Sequence, residues 1–397
     1  MHSSARDTPH LLTRAAVAWN AAILLITLGA LLPRLPVLGV VGTLLESFFS
    51  LHLVLAATAG VLLALLARRE GGTRAATFAM TCAILATLGS LIPLIALTHT
   101  ASHHGTHVSW FDHLHVTARF KAAPPDQTIV YATVDGKNLY ADVYLPAPSP
   151  ATKSAPVLVM HGGGYIGGHR SMMRNWNRWF TARGYAVFDI DYRLAPPPTW
   201  NQAAPDAACA MVWIAANADK FQVDPQRMLV AGQSAGGGLA LQLAYGLGDG
   251  TEQSSCGGTP PQPKAVFALY GPDDFILGWN LNTKLGPADG RNFSRRYTGG
   301  SPEEVPERYR AISAVFHVRP GLPPMLIAAG EADHLVPFAA HLNLVDQLNR
   351  DGVPNVFLAL PYNDHAYDVV WGSLGGQITR RVLEDFLQKY LPAAEPR

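Results

Sequence analysis

Three long apolar runs crowd the first hundred residues and limit what that part of the chain can become. Residues 15–32 and 75–97 carry no charge, and residues 44–67 hold Glu46 near one end and His52 one or two turns further in as their titratable side chains. About 20 apolar residues in a helix cross a bilayer core. The runs are therefore read as three membrane spans, 15–32, 44–67 and 75–97, in a helical region over residues 1–98. Two other readings exist. The first run could be a long secretory leader, but two further spans follow it directly. The region could be a soluble helical subdomain, but such helices keep a polar face that these lack. Composition agrees with lipid: charged residues are 15% of the chain and mean hydropathy is +0.12, against roughly 25% charged in an average soluble domain. A formal net charge of +1 gives no ground for a nucleic-acid partner.

Arginine placement orients the spans. Arg6 and Arg14 lie in the N-terminal tail and Arg68, Arg69 and Arg74 in the second connection, whereas the first connection holds Arg34 alone. Basic connections stay on the cytoplasmic side, which puts the chain after residue 97 on the far side, periplasmic in a two-membrane bacterium. Residues 99–123 form a juxtamembrane linker rich in histidine: His99, His103, His104, His107, His113 and His115. The spacing of His103, His104 and His107 could offer imidazoles to a metal, but only Asp112 accompanies them and no metal is assigned. Trp110 and Phe111 suit the headgroup level. Cys82, Cys209 and Cys256 form no Cys-x-x-Cys pair, so a cysteine-type zinc site is unsupported. Cys209 and Cys256 can pair in an oxidising compartment, or remain buried as small hydrophobes.

From about residue 124 the pattern changes. Strands are expected near 127–134, 139–145, 156–161, 185–191, 228–233, 264–270, 324–330 and 355–361. Helices are expected near 171–183, 204–218, 235–247, 338–350 and 374–390. Two strands followed by strand–helix alternation is the signature of an α/β domain on a mostly parallel, here eight-stranded, sheet over residues 124–397. The stretch 272–320 has no strand signal and contains Phe275, Trp279, Phe293, Tyr297 and Tyr309. An interruption that long is usually functional and is read as a lid or acyl-pocket wall.

The chemistry concentrates in two glycine-rich turns. Gly232-Gln233-Ser234-Ala235-Gly236 follows an apolar strand and opens a helix, the setting of a nucleophile elbow with Ser234 as nucleophile. His161-Gly162-Gly163-Gly164 follows the strand near 156–161. Acyl transfer passes through an oxyanion that needs preplaced amide donors, and the donors expected are Gly163, Gly164 and Ala235. No Gly-Lys-Ser/Thr follows, so a phosphate-cradling loop is not indicated. His161 is read as fixing the loop. A serine hydroxyl needs a base. His365, after the last strand, is the candidate, with Asp333, after the preceding one, as its acid. Glu331 is the alternative acid, and His334 the histidine most easily mistaken for the base. Asp364 and Asp368 merely flank the base. The order Ser234, Asp333, His365 is the order this arrangement takes in α/β-hydrolases.

With those residues in view, the chain from about 124 onward resembles the α/β-hydrolase carboxylesterases of the hormone-sensitive-lipase-like group and their acetyl-esterase relatives. The matching pieces are His161-Gly162-Gly163-Gly164, Asp191-Tyr192-Arg193-Leu194-Ala195-Pro196, the elbow, and residues 330–337. Pro197 stands where the group usually has glutamate, and its N-terminal cap helices have no obvious counterpart. The resemblance implies hydrolysis of a small or lipid-like carboxylic ester through an acyl-enzyme, without a cofactor. The same residues also suit an amidase, peptidase or acyltransferase. A membrane receptor that has kept the fold without the chemistry is the reading from a different class.

Overall fold

A computed structural model describes residues 8–69, 74–115, 122–147, 153–281 and 289–393. Arg6, residues 70–73 of the second connection, 116–121 of the linker, 282–288 of the insertion and Arg397 lie outside the described residues. By mutual contact the chain falls into two units. One comprises Met1–Arg119, Gly330–Ala332 and Leu360–Arg380; the other comprises Phe120–Ala329, Asp333–Ala359 and Arg381–Arg397. The division therefore departs from the linear boundary expected near residue 124, because two pieces from the far end of the chain group with the N-terminal helices.

The helical unit contains α1 (Thr8–Leu31), α2 (Leu38–Arg69), α3 (Arg74–His103) and the short α4 (Trp110–Leu114). The first three are long and apolar enough to cross a membrane. Large side chains such as Leu55, Leu62, Leu88 and Ile95 face outward, while Ala57, Ala64, Ala83 and Ala86 are buried. Small residues inside let backbones approach closely where lipid offers no hydrophobic drive. Asn20 Nδ2 donates to the Gly60 carbonyl at 3.0 Å, a polar contact deep in this bundle. α3 runs on through His99 to His103 and ends before Gly105, whose φ is +61°. The first part of the expected linker is thus helix, because nothing in it stops a helix until that glycine. α2 has non-helical angles at Phe49 (φ −134°, ψ 29°).

In the sheet unit the strands are β1 (Gln127–Val134), β2 (Lys137–Tyr144), β3 (Pro156–Met160), β4 (Ala186–Ile190), β5 (Leu229–Gln233), β6 (Ala265–Leu269), β7 (Met325–Gly330) and β8 (Asn355–Leu360). They form one sheet in the order β1-β2-β4-β3-β5-β6-β7-β8. β1 pairs antiparallel with β2, and β2 with β4; the run β4-β3-β5-β6-β7 is parallel. β3, β4, β6 and β7 are buried along their full length, as strands covered on both faces must be, whereas edge strand β1 alternates. The unit's helices are α5 (Arg174–Thr181), α6 (Ala203–Ala216), α7 (Ala218–Phe221), α8 (Ala235–Asp249), α9 (Phe275–Leu281), α10 (Gly290–Thr298), α11 (Pro306–Ile312) and α12 (Phe338–Arg350); α13 (Leu374–Tyr390) has residues in each unit. α9, α10 and α11 occupy the insertion. Each has nine residues or fewer, too short for a hydrophobic period to announce it. Cys209 of α6 is disulfide-bonded to Cys256, with Cα atoms 5.5 Å apart.

The strand order fixes where chemistry can gather. From β3 the chain crosses to β4 on one side and returns to β5 on the other. Such a reversal leaves a crevice beyond the carboxyl ends of the two flanking strands. The turns after β3 and β5 are the two glycine-rich ones.

Candidate active site

Ser234 stands between the last residue of β5 and the first of α8, with φ 52° and ψ −122°. An L-residue adopts such angles only where the surroundings enforce them. Its amide donates to Leu269 O of neighbouring β6 at 2.9 Å, and its carbonyl accepts from Gly238 N at 3.0 Å. The flanking glycines are steric requirements. A Cβ on Gly232 would lie 2.2 Å from the Gly236 backbone, and one on Gly236 would lie 2.0 Å from Met160 O.

The turn after β3 meets this elbow because β3 and β5 are hydrogen-bonded neighbours. A Cβ built on Gly162 would sit 3.3 Å from Ser234 Cβ. Gly163 (φ 119°) and Gly164 (φ 60°) hold angles open to glycine. Ala235 opens α8, where amides have no intrahelical acceptor. The sheet unit thus gathers Ser234, Gly163, Gly164 and Ala235. His161 is buried, and its Nδ1 hydrogen bonds to Gly162 O at 2.6 Å. Its ring stacks on Tyr192 at 4.4 Å, while the Tyr192 hydroxyl donates to His161 O at 2.8 Å. Burial pulls the imidazole below its ordinary pKa, so it serves the loop as a neutral strut. Next to Tyr192, Arg193 is held by buried Asp206 of α6 through two bonds of 2.8 Å, from Nε to Oδ2 and from Nη2 to Oδ1. This fork–fork geometry locks the turn after β4. The insertion packs on the same loop: Tyr165 stacks on Tyr297 of α10 at 3.8 Å, and a Cβ on Gly164 would lie 2.7 Å from the Phe293 ring.

Asp333 follows β7 in the sheet unit, where its Oδ1 accepts the amides of Leu335 (2.8 Å) and Val336 (2.7 Å). The alternative acid, Glu331, has an exposed side chain. A His–Asp pair lies in this unit: His341 Nδ1 is 2.6 Å from Asp273 Oδ2, with both side chains buried. Burial alone would lower the His341 pKa, but the Asp273 carboxylate outweighs it and the net direction is upward.

His365 lies in the helical unit, on the loop after β8. Ala332 N donates to Asn363 O at 3.0 Å, and Glu331 N to Leu360 O at 2.9 Å. The chain just before Asp333 is thereby bonded to the chain just before His365. Asp364 is buried and closely held: its Oδ2 accepts from Thr43 Oγ1 (2.6 Å), its amide donates to Ser47 Oγ (2.8 Å), and its Oδ1 accepts from His365 N (2.7 Å). Farther along, Gly372 O accepts from His113 Nδ1 at 3.1 Å, and His113 Nε2 accepts from Leu51 N at 3.2 Å. Accepting at one nitrogen and donating at the other requires the neutral ring. Burial accordingly pushes His113 down to about 4.

Sequence reasoning passed over Thr43, Ser47, Asp273 and His341, counted His113 only among the linker histidines, and treated Asp364 as a bystander. One signal was available: Thr43, Glu46, Ser47 and Ser50 recur at the spacing of one helix face. Among the described residues, no group of three His, Cys, Asp or Glu side chains could hold a metal ion.

The BD-FAE family model matches residues 141–348, more than half of the chain. The chain belongs to the BD-FAE family. This BD-FAE chain is 30% identical to esterase LipC of Mycobacterium tuberculosis over 57% of its own length, and 27% identical to the probable carboxylic ester hydrolase LipM of the same organism over 64%. It spans only 56% and 58% of those two relatives. Among solved structures it resembles the apo form of Thermogutta terrifontis esterase 2 (TM-score 0.57, 25% identity, 70% of this chain and 99% of that one). That esterase is also known phosphorylated by paraoxon (TM-score 0.56) and with butyrate bound (TM-score 0.54), each at 25% identity. The expected α/β-hydrolase fold and the resemblance to this carboxylesterase group are borne out.

Proposed function

We propose that this BD-FAE member hydrolyses carboxylic esters through an acyl-enzyme on Ser234. The observation that carries the reading is the strained elbow of Ser234 beside the Gly162 turn. His365, oriented by Asp333, takes the hydroxyl proton as Oγ bonds to the ester carbonyl carbon. The carbonyl π pair moves onto oxygen and is held by the amides of Gly163, Gly164 and Ala235. When the tetrahedral species collapses, His365 returns the proton to the departing alcohol. Water, activated by the same base, then releases the acid.

The naming of LipC and LipM as ester hydrolases supports the reaction class. Butyrate in Thermogutta terrifontis esterase 2, together with Phe293 against Gly164, favours short acyl chains and casts the insertion as a pocket wall. The three apolar helices would anchor the chain in a membrane, with the sheet unit outside the cytoplasm. The arginine asymmetry supports that orientation. So does the Cys209–Cys256 disulfide, a bond that persists in oxidising compartments.

The test is covalent labelling of the full-length chain in detergent with paraoxon or a fluorophosphonate, followed by peptide mass mapping and a series of esters from acetate to palmitate. Label on Ser234 with turnover of short esters is expected. An unlabelled serine, or label elsewhere, would refute the assignment.

A further inference from the structure

We propose that helix α2 is a positioning element of the candidate active site, with Thr43 and Ser47 placing His365 through Asp364. The proposal rests on His365 being the base. Asp364 precedes His365 and is gripped at three atoms. The Thr43 hydroxyl lies within donating distance of both Gly39 O (2.9 Å) and Asp364 Oδ2 (2.6 Å). It has one proton, and a carboxylate is the stronger acceptor. Ser47 donates to Thr43 O (2.7 Å) and so offers its lone pairs to the Asp364 amide. The other Asp364 oxygen takes the amide of His365 itself. Asp364, the residue before the base, is thus held at its backbone amide by Ser47 and at its side-chain carboxylate by Thr43, both hydroxyls of α2.

A second tie acts seven residues beyond His365. Phe49 holds non-helical angles within α2, and two residues on the Leu51 amide donates to His113 Nε2 at 3.2 Å. His113 passes the bond on to Gly372. Gln377 clasps Ser109 from the other direction, accepting from Ser109 N at 2.6 Å and donating to Ser109 O at 3.2 Å. The base loop is therefore tied to α2 before and after His365.

Helix length gives this arrangement room. At 1.5 Å per residue, the 32 residues of α2 extend about 48 Å, while a bilayer core takes up about 30 Å. With Arg68 and Arg69 marking the far end, the surplus falls at the N-terminal third, where Thr43, Glu46, Ser47 and Ser50 are buried on one face. A polar face there is unneeded for spanning lipid, and two of its members meet Asp364.

The experiment uses the full chain in detergent or vesicles and compares Thr43→Val, Ser47→Ala and the double variant with Thr43→Ser. Thr58→Val serves as control, since among the described residues the Thr58 hydroxyl bonds to Val54 O of its own helix. For the double variant, kcat should fall about tenfold to a hundredfold, the scale of an ångström-level misplacement of a reacting group. KM should stay within about twofold, because no substrate contact is lost, and such uneven loss marks an effect on the chemical step. Thr43→Ser should recover most of the rate, and Thr58→Val should match the parent. Unchanged kcat in the folded double variant would overturn the proposal, as would Thr43→Ser being as damaged as Thr43→Val. If Thr43→Val does not fold, Ser47→Ala alone decides by the same criteria. His365→Ala is assayed alongside: an active His365→Ala removes the base assignment, whereas an inactive one with an undisturbed α2 series removes only the positioning role.

Discussion

Ser234 holds backbone angles that cost an L-residue about 1–3 kcal/mol, and the chain retains them because both neighbours at two residues' distance are glycine and the amide is satisfied by β6. Strain held at a serine between the end of a strand and the start of a helix is where a nucleophile elbow keeps it. Ser234→Ala should lower kcat on the order of 10⁶-fold, as loss of a triad nucleophile does, measured with a short-chain ester. His365→Ala should be nearly as severe because the two act as a unit. Asp333→Asn should cost about 10⁴-fold through loss of the orienting carboxylate. His334→Ala should cost about tenfold at most, and Glu331→Gln no more than that. An inactive His334→Ala beside an active His365→Ala would reassign the base. His341 supplies a pH prediction of a different kind. Its folded pKa is raised above the ordinary 6.5 by Asp273, so the native state holds that proton more tightly than the unfolded chain does. The stability it contributes is complete below pH 6.5 and is lost as pH climbs through the raised value. The denaturation midpoint in detergent should therefore fall from pH 6 toward pH 9 in the parent, and fall less in a Asp273→Asn, His341→Asn double variant.

All eight strands of the sheet stand within two residues of where alternation and apolar runs put them, since a parallel strand buried on both faces leaves a continuous signal in its own residues. The insertion helices left none, being about two turns each and held by contacts with distant residues such as Tyr165 and Gly164. Ser234 and the Gly162 turn could be read for the same reason the strands could: their chemistry is local, a glycine pattern between a strand and a helix. The role proposed for Asp364 could not, because its partners Thr43 and Ser47 lie more than three hundred residues away, at the start of a helix whose apolar run masks them. The disulfide was open in the sequence for a similar reason, as 47 residues separate Cys209 from Cys256. Cross-linking a loop of that size typically stabilises by about 2–4 kcal/mol. A Cys209→Ser, Cys256→Ser double variant should lose an amount in that range, read from its denaturant midpoint. The wall assigned to α10 predicts that Phe293→Ala shifts the preferred acyl chain longer by a few carbons, with kcat/KM for hexanoate or octanoate esters rising relative to acetate. An unchanged profile would remove Phe293 from the pocket.

The proposed orientation makes its own demand on the assembled chain. If the three helices span with the basic tail inside, a reporter that works only in the cytoplasm should be silent when fused after Arg397, and a strongly active fusion would reverse the topology. The bonds from α2 to Asp364 carry a further meaning for the medium in which the protein sits. A helix longer than the lipid it crosses adjusts by tilting, and the tilt depends on how thick the lipid is. Tilting α2 moves Thr43 and Ser47, and with them the peptide that feeds His365. On the proposed positioning role, acyl-chain length of the surrounding phospholipid would be an input to turnover. The chain reconstituted in vesicles of 14-, 18- and 22-carbon lipids should give one KM and three different kcat values, whereas the Thr43→Val, Ser47→Ala variant, already uncoupled, should give nearly the same kcat in all three.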